Sequence, residues 1–258
     1  MWYGVYLIVA TMRAELRPAD RMRQALMAHL DHEGVQTLLE NAATCDEAND
    51  YLQSGEYELA LQTALPLVLL ETPIIAERAR EIAISALDHL VDKATVRGMP
   101  QLALDYLQQW LRLEPNALYP MVRRAEILQF ELGDYDAAWT AYLQVLRHYP
   151  NNIEALIGLA ELSLMEGNPE RAYPYVLRAW QMLAQSRWAY TPSVRTFTAL
   201  FEGLYDVTAG VLAWLGPPTE AEKLLEEAIQ RLGGSDALKR RLQSLREILT
   251  RDSEHQDN

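Results

Sequence analysis

Five times along this chain a glycine is followed, five residues later, by an alanine: Gly55/Ala60, Gly98/Ala103, Gly133/Ala138, Gly167/Ala172 and Gly216/Ala221. Four and seven residues beyond each alanine stands another apolar or small residue: Ala64/Leu67, Leu107/Trp110, Tyr142/Val145, Val176/Ala179 and Leu225/Ala228. Residues three, four and seven apart share one face of an α-helix. Each alanine therefore opens an apolar stripe, and each glycine stands where a preceding helix must stop. The pattern predicts one helical hairpin copied along the chain. Gly98 to Gly133 is 35 residues and Gly133 to Gly167 is 34.

The best copy reads ELGDYDAAWTAYLQVLRHYPNN, residues 131–152. Gly133 ends the first helix, because glycine tolerates positive φ. Asp134 can cap the second. Ala138 is small enough to let two helices approach, Tyr142 and Val145 extend its face, and Pro150 ends the run. This copy closely resembles the tetratricopeptide repeat, whose two helices recur every 34 residues. The resemblance covers roughly residues 44–235. It implies an all-α, right-handed superhelix of about five hairpins with terminal helices.

The other copies keep parts of the motif. Residues 99–116 keep Ala103, Leu107, Trp110 and Pro115; residues 156–180 keep Leu159, Ala160, Gly167, Ala172 and Ala179. Residues 54–67 keep Gly55, Tyr57 and Ala60, but Pro66 interrupts the second helix; residues 215–229 keep Gly216, Ala221 and Ala228. In the central copy Glu126 falls where a small residue is expected, with Ala125 beside it. A one-residue insertion in that first helix explains both this offset and the 35-residue spacing.

Two spacings are long: 43 residues from Gly55 to Gly98, and 49 from Gly167 to Gly216. Both intervals contain Thr-Pro, at Thr72-Pro73 and Thr191-Pro192, which is a helix-start signal. Each is followed by a helical stripe, Ile75 to Ala94 and Val194 to Leu215. The extra residues read as extended first helices, either buried along their length or projecting beyond the stack.

Charge narrows the partners. The formal net charge is −13. Residues 1–30 hold four arginines against two acids and residues 235–258 balance, so residues 31–234 carry −15. Phosphate backbones need a basic footprint, so nucleic-acid binding through the main body is not expected. A single cysteine excludes an internal disulfide framework and suits a reducing, cytoplasmic compartment. No stretch reaches the ~20 apolar residues that span a bilayer. The start, MWYGVYLIVATM, is apolar for about ten residues, then meets Arg13. It reads as an element packed on the first repeat, as an interfacial anchor that would allow membrane association, or as sequence upstream of a start at Met12.

The expected organisation is an N-terminal segment with lead-in helices over 1–43, repeats over 44–235, a capping helix over 236–250 and a disordered tail over 251–258. Residues 18–30 place Met22, Ala25, Leu26 and His29 on one face, and a short second run holds Val35, Leu38 and Leu39. Gly34 suggests a helix end. Cys45 sits inside a capping-box pattern, Thr44-x-x-Glu47. Near the C-terminus Ser235 can cap a helix with a stripe of Leu238, Leu242, Leu245 and Leu249. Its Lys239, Arg240, Arg241 and Arg246 read as the polar face that closes a solenoid, or as a basic patch for an acidic partner.

Little here points to chemistry. His29 and His32 are three apart beside Asp31 and Glu33, but no second ligand pair accompanies them, so no metal is expected. No dinucleotide, P-loop or nucleophile-elbow motif occurs. No cofactor and no catalytic residue are assigned.

The resemblance implies a non-catalytic scaffold whose first helices line a groove for a peptide or helix. Carried over by position, the groove holds Asn49, Asp88, Asp92, Arg123, Glu154, Ile157, Glu161, Leu164, Asp206 and Trp214. Its carboxylates favour a basic, amphipathic protein segment. Residues 99–149 also resemble the helical activation domain of some bacterial transcriptional regulators. That leaves a regulator's signalling module, or a docked subunit of a larger assembly, as alternatives.

Overall fold

The computed structural model describes residues 18–30, 32–185 and 196–256. Among these residues the fold is all-α, with twelve helices and no β-strand. Helix α1 (Pro18–Leu30) precedes a run of helical hairpins. They pair α2 (Glu33–Ser54) with α3 (Tyr57–Ala64) and α6 (Leu118–Glu126) with α7 (Tyr135–His148), with α4 (Pro73–Val96) and α5 (Pro100–Leu113) following in sequence between them. The last two pair α8 (Ile153–Met165) with α9 (Pro169–Ala184), and α10 (Phe197–Leu215) with α11 (Pro218–Arg231). Helix α12 (Asp236–Gln256) follows. The helix order is that of an α-solenoid. The chain divides into two compact units, residues 1–93 and 94–258.

In the first unit Ala48, Ala60 and Ala64 are fully buried, so α2 and α3 meet closely. Pro66 acts as the sequence suggests: α3 stops at Ala64 and gives way to a 3-10 turn, Leu65–Leu69. Tyr57 stacks on His89, with ring centroids 4.4 Å apart. Lys93 Nζ reaches Glu58 Oε1 at 3.0 Å. Helix α4 begins at Pro73 as expected, and its stripe from Ile75 to Ala94 is buried throughout. It is a long buried helix.

The expected lead-in pair is corrected. Gly34 does not end a helix; it begins one. His32 caps α2, its Nδ1 accepting from the Gly34 amide at 3.2 Å, and the helix runs unbroken across residues 43 and 44. Thr44 is mid-helix, its hydroxyl donating to the Glu40 carbonyl, so the capping-box reading around Cys45 fails. Cys45 is a buried core residue whose thiol is pushed up by burial. The apolar start of the chain lies outside the described residues.

In the second unit the repeat alanines Ala103, Ala138, Ala172, Ala221 and their stripe partners Leu107, Tyr142, Ala179, Leu225 are fully buried. Helix α8 is enclosed on nearly every side, as its largely apolar sequence favours. Gly98, Gly133 and Gly167 hold the left-handed conformation expected of helix terminators. Gly216 does not: its φ is −128° and ψ −172°. Pro217 follows it, and a proline drives the preceding residue out of the helical region into extended backbone.

The one-residue insertion in the central copy is visible. From Ile127 to Glu131 helix α6 widens into a single π turn, with the Leu132 amide donating to the Ile127 carbonyl five residues back. Such a turn absorbs an added residue inside an α-helix and is frequent at functional sites.

Two further expectations are corrected. Helix α10 starts at Phe197 with the Thr196 hydroxyl accepting from the Ala199 amide; Thr191-Pro192 lies outside the described residues. Helix α12 continues to Gln256 rather than ending at 250, since no proline or glycine in 236–256 stops it. Three of its four expected patch cations are engaged: Arg241 pairs with Asp206, Arg246 with Glu222 and Glu226, and Lys239 with Asp236, while Arg240 has no ion pair among the described residues.

Candidate binding surface

Each first helix of the second unit is fixed to the next by a contact near its C-terminal end. Arg123 in α6 donates to the Thr95 hydroxyl of α4 at 3.4 Å. The same guanidinium meets Glu126 and Glu131, both at 3.5 Å. Glu126, at the position where a small residue was expected, is buried against this arginine. Gln129 in the π turn donates to Glu161 of α8 at 2.9 Å and accepts from the Tyr142 hydroxyl at 2.7 Å. Leu164 of α8 lies over Gly210 of α10, where an added Cβ would stand 2.7 Å from Leu164 Cδ1.

Next to each of these contacts an apolar side chain points to solvent. Val96 is 87% exposed, Phe130 58%, Met165 57% and Trp214 66%. Each sits in the last turn or two of its first helix. Val96, Met165 and Trp214 are all two residues before the repeat glycine. Phe130 is three before it, in the π turn that carries the extra residue. An isolated exposed apolar residue is ordinary on a protein surface. Four at repeat-equivalent positions form a row.

The sequence-derived groove is partly redistributed. Glu154 and Ile157 are buried, 0% and 1% exposed, and cannot meet a partner. The Glu154 carboxylate accepts from Asn152 Nδ2 at 2.6 Å instead. Helix α8 is too enclosed to present them. In the first unit Asn49 accepts from Arg78, Asp88 is half-buried and Asp92 is exposed. In the second unit Arg123, Glu161, Leu164, Asp206 and Trp214 occupy the first helices, with Trp214 the most open.

Asp206 is the electrostatically unusual member. Its Oδ1 is shut off from solvent, and Arg241 Nε stands 2.9 Å away as an ion-pair contact rather than an aligned hydrogen bond. Burial raises the carboxyl above its ordinary range and Arg241 opposes that rise.

The hairpin geometry, the π turn and the helix-end row centre on residues 129–216, and residues 129–190 match the tetratricopeptide repeat family. These residues are similar to tetratricopeptide repeats. Among solved structures the chain is similar to the one titled "Crystal structure of MamA protein". The identity is 13%, the TM-score 0.45, and the match covers 74% of this chain and 90% of that one. No curated protein sequence matches the chain.

Read as tetratricopeptide repeats, the first helices carry the exposed row and the second helices carry the core stripe. The row was within reach of the sequence: an apolar residue recurs just ahead of Gly98, Gly133, Gly167 and Gly216. The stripe after each glycine drew the assignment, while the residues before it looked like ordinary helix interior. Among the described residues, no group of three or more His, Cys, Asp and Glu side chains could hold a metal ion. His29 and His32 stand on separate elements, with His32 Nδ1 engaged as a cap. No helix among the described residues is long and apolar enough to cross a membrane.

Proposed function

We propose that the chain is a non-catalytic scaffold that holds an amphipathic segment of a protein partner along the ends of its first helices. Val96, Phe130, Met165 and Trp214 receive the segment's apolar side chains. The observation that carries this reading is their exposure at equivalent places in four successive repeats. Apolar anchors in well-packed settings dominate affinity. The segment's polar side is basic, since residues 31–234 carry −15 and Glu161 and Asp206 lie on the same helices. Charge acts mainly on the encounter, because exposed pairs are screened and weak.

Side-by-side capture from native lysate tests this, with the parent chain against a triple variant, Phe130→Ser, Met165→Ser and Trp214→Ser. All three side chains are exposed, so circular dichroism should be unchanged. A protein retained by the parent and lost by the variant supports the proposal. The same set of proteins on both overturns it.

A further inference from the structure

A cleft of about 280 Å³ opens between α5, α6 and α7 in the second unit. Its lining includes apolar Leu111, Pro115, Met121 and Ala141, with Met121 and Ala141 buried. Arg124, Arg147 and His148 also line it, together with Gln144. No carboxylate lines it.

Arg123, Arg171, Arg231, Arg241 and Arg246 of the same unit each pair with a carboxylate, whereas among the described residues Arg97, Arg112 and Arg240 do not. Among the described residues, Arg124 and Arg147 pair with none. Arg147 sits in the last turn of α7, where a positive charge favours the helix dipole, and Arg124 in the last α-helical turn of α6 before the π turn. The dipole accounts for Arg147 singly. It does not account for the convergence of Arg124, Arg147 and His148 on one apolar floor that acids avoid.

We propose that this cleft docks an acidic segment of a partner protein, one apolar side chain flanked by aspartate or glutamate. The volume falls just below the ~300–1,000 Å³ of small-molecule sites, which suits one inserted side chain. The two arginines offer forked donors matched to carboxylates. Arg123 and Arg124 are neighbours on α6, about 100° apart around the helix axis. The first serves the first-helix network and the second serves this cleft, so the two surfaces take ligands of opposite charge.

Fluorescence anisotropy on the full chain at low salt tests the proposal. The probe is a fluorescein-labelled peptide with one leucine between glutamates. The parent should bind it. Arg124→Glu with Arg147→Glu should weaken binding at least tenfold, and the milder pair Arg124→Gln with Arg147→Gln should weaken it severalfold, both with unchanged circular dichroism. Replacing the peptide's leucine with serine should also weaken binding severalfold. No binding to the parent, or equal binding to parent and variants, overturns the proposal. So does full affinity for the serine peptide, or displacement by millimolar inorganic phosphate, either of which would make the cleft a simple anion site. A dimer in sedimentation velocity that the double reversal dissolves would assign the cleft to a second copy of this chain, and would equally overturn it.

Discussion

The ring of Tyr142 in α7 passes so close to Gly158 in α8 that a Cβ on residue 158 would stand 2.3 Å from Cζ. Tyr142 is fully buried, and its hydroxyl donates to Gln129, whose amide donates to Glu161. One core tyrosine thus sets α6 against α8.

Gly158→Ala should therefore be costly although alanine is the better helix former. The new methyl meets a ring that has nowhere to swing, and overpacking of this kind costs about 1–3 kcal/mol. Urea unfolding should show the loss, and in a Tyr142→Leu background the same substitution should cost less, a non-additivity expected of contacting residues. A Gly158→Ala protein as stable as the parent would deny the close approach.

Tyr142→Phe keeps the ring and removes only the hydroxyl. The buried Gln129 carbonyl then loses its donor, which costs about 1–3 kcal/mol. The variant should melt lower and show shifted Gln129 and Glu161 resonances. An unchanged melt with unshifted resonances would show that the hydroxyl bond does not form.

Ala138 is fully buried where α7 packs into the core with Val122 and Leu159. Ala138→Arg forces a long cation into that contact. The expected loss is about 3 kcal/mol or more, through overpacking and an unpaired buried charge. A parent-like melting curve would place residue 138 at the surface.

Asp206 should titrate above an ordinary aspartate, because burial raises its carboxyl more than Arg241 lowers it. Arg241→Ala removes the opposing charge and should move the carboxyl higher still. A carboxyl raised on folding binds protons more readily in the native state. Its contribution to stability is therefore present at low pH and is lost as pH rises through the folded value. Carbon-detected NMR of Asp206 follows both; a titration at or below the usual aspartate range would contradict the burial.

The hairpins were legible because glycine, alanine and the stripe after them report backbone and packing directly, residue by residue. Even the π turn was foreshadowed, by Glu126 and the 35-residue spacing. The helix starts were less legible. Gly34 reads as a stop only until His32 is known to cap it, and Thr44 reads as a cap only until the helix is seen to run through it. Glu154 and Ile157 failed as groove residues because burial depends on neighbours in three dimensions, and α8 is packed among α7, α9 and α10. The recurrence of Val96, Phe130, Met165 and Trp214 ahead of the repeat glycines is readable in the sequence, but their exposure is not, because it depends on which faces the neighbouring helices leave open.

The scaffold reading is tested most directly by the kinetics of a basic amphipathic helical peptide, alternating leucine and lysine faces, on the immobilised chain. Association should slow as salt rises, since exposed charges are screened over about 8–10 Å near physiological ionic strength. Trp214→Ala combined with Met165→Ala should leave association nearly unchanged and speed dissociation at least tenfold, because apolar anchors hold the complex while charge steers it. A dissociation rate identical in parent and double variant would contradict the account.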